Sequence, residues 1–222
     1  MRSDQRMHID TIIHSVAVWA VPVLAAVVLH EVAHGATADL LGDPTARRAG
    51  RLTLNPFAHI DPVGTVVIPL TLLIMQAPFL FGWAKPVPVD FTRLRRPKQD
   101  MVWVAAAGPA TNLLLALAST ALLAAAPHLP QAIALPLAAS CQASILINLV
   151  LCLFNLIPLP PLDGGRVLVG LLPNALAAPL ARLEPFGMVA IIALLVTGLL
   201  PPLLGPPVRA ASRLLVQWAL GG

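Results

Sequence analysis

The chain contains no tyrosine, only 11% of its 222 residues are charged, and it has two cysteines. Each shortage excludes something. A soluble domain carries about 25% charged residues, so so few charges in a chain that is 58% hydrophobic, with mean hydropathy +0.84, point to an integral membrane protein. Basic clusters interleaved with aromatics are missing, which argues against a nucleic-acid partner. Cys141 and Cys152 lie in one apolar segment, eleven residues apart. That spacing suits neither a metal-binding C-x-x-C pair nor a helix-face pair, and both read as small apolar filler. Neither an internal repeat nor a soluble domain is visible.

The longest gap in charge runs from Met101 to Leu162, where no Asp, Glu, Lys or Arg occurs. A membrane-crossing helix needs about 20 apolar residues, so this stretch is too long for one. "APHLP" at 126–130 is the natural break, giving an antiparallel pair at about 101–125 and 132–157. A first span covers 11–29, with His14 its only titratable side chain and Pro22 a kink. The run is long and has no small-residue processing site before His30, so it reads as an anchor and not a cleaved leader. Residues 62–84 form a run interrupted by Gly64, Pro69, Pro78 and Gly82. A last span is predicted at 185–208, and "VRAASRLLVQWAL" at 208–220 reads as an interfacial amphipathic helix.

Lys and Arg number 14 against 10 acids. With the N-terminus outside and 63–81 re-entering without crossing, ten of those 14 fall on the cytoplasmic side. They include Arg47, Arg48 and Arg51 before the loop and Lys85, Arg93, Arg95, Arg96 and Lys98 after it. The positive-inside rule favours that arrangement. The expectation is therefore an all-α polytopic membrane protein. It has about four transmembrane helices, a re-entrant or extended segment and an interfacial C-terminal helix. One domain would fill 1–222, with its core at about 11–170 and C-terminal helices at 171–222.

Against this apolar background "VVLHEVAHGAT" (27–37) stands out. His30-Glu31-Val32-Ala33-His34 is H-E-x-x-H. On a helix, residues four apart share a face, so both imidazoles reach one metal ion and the glutamate reaches water beside it. Zn²⁺ lowers the pKa of a water it binds to about 7, and a neighbouring carboxylate takes the proton. An unpaired glutamate in hydrocarbon costs several kcal/mol, which weakens the alternative of two packed histidines beside an idle acid. A third ligand is needed, and besides Glu31 the one acidic residue deep in apolar sequence is Asp163. It follows Pro158, Pro160 and Pro161, which unwind any helix there; Gly164 and Gly165 allow close backbone approach. Asp163 as the N-cap of a following helix is the competing reading.

The two motifs together resemble the site-2 protease family of intramembrane zinc metalloproteases. The second motif runs through Asn155, Pro158, Pro160, Leu162, Asp163 and Gly164. "GPATN" (108–112), "GRLTLNPFAHIDPVGT" (50–65) and "FGWAKPVPVD" (81–90) resemble further stretches of compact members that have no PDZ or CBS domain. The resemblance covers about residues 25–170. It implies one Zn²⁺ held by His30, His34 and Asp163, with Glu31 as catalytic base and Asn155 and Asn112 as substrate-binding residues. It also implies a multi-pass protein of the cell membrane with its site toward the cytoplasm, cutting transmembrane substrates within the lipid bilayer in regulated intramembrane proteolysis. A catalytically silent member that binds a membrane partner and a metal transporter are the alternatives. "KPVPVD" (85–90), whose alternate prolines favour extended backbone, reads either as a plain connector or as an edge for an unwound substrate strand. His59, in the turn-rich "NPFAHIDP", reads either as a structural hydrogen-bonding residue or as a gating or substrate contact.

Overall fold

The computed structural model describes residues 2–77 and 82–221, with side chains from Val16 onward. All regular structure among the described residues is helical. The first helix, α1 (Arg2–Leu40), runs 39 residues with Pro22 inside it. It continues past the end of the apolar run at Leu29, so the H-E-x-x-H motif lies on the helix, as its spacing requires. Termination falls to Gly42, whose φ of +115° suits a residue without a Cβ. There the Asp43 N–H returns to the Ala38 carbonyl at 2.8 Å and the Gly42 N–H to the Asp39 carbonyl at 3.2 Å.

A short helix, α2 (Thr45–Arg48), leads into irregular chain. The Asp61 carboxylate then accepts from the N–H groups of Val63 at 3.0 Å and Gly64 at 2.7 Å. That cap starts a π-turn at Pro62–Val67, which passes into α3 (Ile68–Ile74). These thirteen helical residues reach about 20 Å, short of the hydrocarbon core of about 30 Å. The chain then comes back to where it entered. The Trp83 N–H meets the Gly64 carbonyl at 3.1 Å, and the Lys85 N–H meets the His59 carbonyl at 2.9 Å. The two ends of the excursion thus lie side by side; Pro78 and its neighbours to 81 lie outside the described residues.

The predicted antiparallel pair is present as α4 (Pro97–Ala125) and α5 (Gln131–Asn155), joined by a 3-10 turn at Ala126–His128. Between lipid-embedded helices the drive to associate comes from close packing and interhelical hydrogen bonds, because hydrocarbon is as apolar as leucine. Small residues accordingly sit at the contact: Ala116 from α4 and Cys141 from α5 are buried beside Leu123, Ile145 and Leu149. Both cysteines are free and buried. The prolines after Asn155 keep 156–162 non-helical, with a cis bond at Pro160–Pro161. Helix resumes in α6 (Asp163–Leu171).

The C-terminal part differs from expectation. In place of one span at 185–208, α7 (Asn174–Ala181) meets α8 (Glu184–Val196) at a 63° bend, and α8 then stops. Gly198 takes φ +72° there, and Pro201 and Pro202, which are tolerated in a first helical turn, open α9 (Leu200–Leu220). This last helix contains the predicted amphipathic stretch. It lays Ala211, Leu215, Val216 and Ala219 on the α4–α5 pair and leaves Leu214 and Trp218 exposed. Among the described residues, three helices, α1 from Val16, α4 and α5, are long and apolar enough to cross a membrane, and the bent α7–α8 pair makes a fourth if counted as one span.

Candidate metal centre

His30 and His34 share one face of α1, and their Nε2 atoms lie 3.0 Å apart with the rings edge to face. Asp163, at the first turn of α6, brings its Oδ2 to 3.3 Å from His30 Nε2 and 3.4 Å from His34 Nε2. The protons on the imidazoles can be assigned from their other partners. His34 Nδ1 faces the Val104 carbonyl at 2.7 Å, which can only accept, so Nδ1 carries the proton. His30 Nδ1 faces Asn112 Oδ1 at 2.6 Å. The Asn112 amide is fixed in that orientation because its Nδ2 donates to the Ala26 carbonyl at 3.1 Å and to Asn148 Oδ1 at 2.9 Å. In their neutral form both rings would therefore turn an Nε2 lone pair toward the same carboxylate oxygen.

With the rings in that form three lone-pair groups converge, and Asp163 Oδ2 is buried with the two Nε2 atoms as its polar neighbours. Such an arrangement repels itself unless a cation lies among the three. Space for one is protected: a Cβ on Gly108 of α4 would run into His34 Nε2 and the His30 ring. The donor set, two imidazole nitrogens and one carboxylate oxygen within 4.8 Å of one another, fits a zinc ion. Asp163 is not an N-cap; Leu162 occupies that position, without a side-chain hydrogen bond, and Asp163 belongs to the cluster.

The cluster opens on a cavity of about 480 Å³ lined also by Glu31, Asn155 and Arg166. A second hollow of about 520 Å³ lies between α4, α6 and α7, and none of its lining residues is His, Cys, Asp or Glu. Glu31 Oε2 accepts the Val87 N–H at 2.8 Å, so the "KPVPVD" connector runs along the site. Asn155 faces the cavity with its Nδ2 tied to the Leu151 carbonyl at 3.0 Å. Asn112, expected as a substrate-binding residue, is fully buried against His30 and is not among the residues that line the cavity. His59 is buried, with Nε2 2.9 Å from the Thr53 carbonyl.

Asn148 was not singled out from the sequence. It is a lone amide in the most apolar part of α5, two helical turns before Asn155, and a polar group at such a depth is itself a signal. Its Nδ2 reaches the Ser144 carbonyl at 2.9 Å, and Ser144 Oγ bonds Ser119 Oγ of α4 at 2.7 Å.

Comparison with known proteins bears on this site. The family model of peptidase family M50 matches residues 128–198. The chain is 40% identical over 186 residues to the Bacillus subtilis protein named "Putative zinc metalloprotease YwhC", spanning 82% of this chain and 81% of that one. It is 33% identical to the Rip2 protein of Mycobacterium tuberculosis H37Rv and 28% identical to that of Mycolicibacterium smegmatis, which bear the same description. There it spans 66% and 64% of the relatives' length. No solved structure matches the chain. Identity at the level of YwhC, carried across four-fifths of both chains, makes this protein a member of peptidase family M50, the site-2 protease family.

Proposed function

We propose that this multi-pass M50 peptidase is a zinc metalloendopeptidase that cuts transmembrane segments of other membrane proteins near the cytoplasmic face, in regulated intramembrane proteolysis within the cell membrane. The observation that carries the reading is the meeting of three metal-ligating atoms and a glutamate in one cavity among apolar helices. His30, His34 and Asp163 would hold the zinc. When bound there, zinc supplies Lewis-acid polarisation of a carbonyl and acidifies water.

The remaining work falls to the chain itself. Glu31 accepts a proton from the attacking water on its carboxylate and returns it to the departing amine. Asn112 and the Val104 carbonyl keep the Nδ1 protons in place, so that both Nε2 atoms stay available. A substrate helix shields its own carbonyls, so it must unwind before it is cut. Residues 82–90 form no helix and pass beside Glu31, which suits pairing with an unwound strand while Asn155 contacts its backbone. The cytoplasmic assignment is supported by the basic loops. The Arg95 N–H meets the Leu41 carbonyl at 3.1 Å and Arg51 Nη2 meets the Lys85 carbonyl at 3.0 Å, so both basic stretches share the end of the molecule where the site lies.

Glu31→Gln tests the assignment of roles. The purified variant should lose peptide cleavage and keep its zinc by metal analysis. Zinc loss as deep as that of His34→Ala would overturn it.

A further inference from the structure

The segment Lys85-Pro86-Val87-Pro88-Val89-Asp90 does more than pass the site. Proline has no N–H, so between Lys85 and Val89 the one backbone donor is that of Val87. That donor is the one bonded to Glu31 Oε2, at 2.8 Å. The prolines on either side also fix their own φ near −65° and hold Val87 extended.

The segment is fastened on both sides of this bond. The Lys85 N–H is held by the His59 carbonyl at 2.9 Å, and the Asp90 N–H by Asp43 Oδ2 at 2.7 Å. The side chain of Val87 is fastened too. It is buried, and its Cγ1 lies 2.6 Å from where a Cβ of Gly35 would stand, too close for both to be present. Gly35 lies four residues after Glu31, on the same helix face. The absent side chain on α1 is what lets Val87 come down far enough for its N–H to meet the carboxylate one turn earlier.

We propose that the Val87 N–H is a positioning group for Glu31. It holds Oε2 and so turns Oε1 to the cavity, where the attacking water is deprotonated. The inference rests on Glu31 being the base, as argued above. It adds that the extended connector sets the rotamer of that base, so a strand bound along residues 85–90 presses directly on the group that aligns the catalytic carboxylate.

The test removes one hydrogen. Replacing Val87 by its α-hydroxy acid makes an ester in place of the amide and keeps the isopropyl group. We expect kcat for a transmembrane peptide in detergent to fall about 10–100-fold, the usual loss for an outer-shell support, with KM and zinc content unchanged. Val87→Ala keeps the N–H and trims the packing; the ester should lie at least about tenfold below it in kcat. An ester variant with wild-type kcat would overturn the proposal. So would an alanine variant as impaired as the ester, because packing alone would then explain the loss. Zinc loss in the ester would also overturn it, by moving the role of Val87 to the ligands. Glu31→Gln, assayed beside them, separates the two levels: turnover retained in that variant would refute Glu31 as base whatever the ester does.

Discussion

Replacing Asn112 by leucine, nearly its own shape, removes the acceptor that holds the proton on His30 Nδ1. Three bonds go at once: Asn112 Oδ1 to His30, and Asn112 Nδ2 to the Ala26 carbonyl and to Asn148. The first is the one that bears on metal. Without it His30 can place its proton on Nε2, and that tautomer has no lone pair to offer the cluster. Loss of such an outer partner costs about 10–100-fold in metal affinity, which corresponds to about 1.4–2.7 kcal/mol. The buried donors and acceptors left behind cost folding stability on the order of 1–3 kcal/mol each. The assay is competition for zinc against a chromophoric chelator, run on purified protein in detergent at constant pH. Asn112→Asp is the companion, because a carboxylate still accepts from His30 Nδ1; it should keep most of the zinc affinity while losing thermal stability. Asn112→Leu binding zinc as tightly as the wild type would refute the tautomer argument.

Asp163→Ala should lower zinc occupancy sharply, and full occupancy with unchanged coordination by X-ray absorption would remove Asp163 from the site. Gly108→Ala should cost zinc without replacing any ligand, since its Cβ would meet both imidazoles; metal analysis of folded protein checks this, and retained zinc would mean that the helices part easily. Arg51→Cys and Lys98→Cys, each in a background free of Cys141 and Cys152, should label from the same side of intact cells; labelling from opposite sides would refute re-entry of the segment between them.

Much of this was readable in the residues. The H-E-x-x-H spacing and the isolation of Asp163 in apolar sequence identify the cluster before any geometry, because ionisable groups are expensive at that depth. The prolines after Asn155 and the uncharged gap from Met101 to Leu162 likewise predict the α4–α5 pair and the unwound chain leading to α6. Asn112 shows where such reading stops. A residue type and a spacing say that an amide is present in a helix, but not whether it faces a cavity or the back of a ligand; that depends on how α1, α4 and α5 are rotated against one another. The 185–208 span failed for a related reason. Hydrophobicity is continuous across Gly198, and the break between α8 and α9 is made by its positive φ and by the prolines that open α9.

The amide pair Asn112–Asn148 also bears on how the helices find one another. Two apolar helices in lipid can slide past each other at little cost, because every rung offers much the same contacts. A single pair of amides ends that freedom. A slip of one residue moves α5 by about 1.5 Å along α4. That displacement strains the 2.9 Å bond between them, and a slip of a full turn strands both amides in hydrocarbon at several kcal/mol each. Asn112 then meets the histidine-bearing helix through His30 and the Ala26 carbonyl. One set of hydrogen bonds is therefore the alignment mark for the assembling bundle and the last contact behind a metal ligand. An assembly in which the helices are out of step is also one in which the site cannot close.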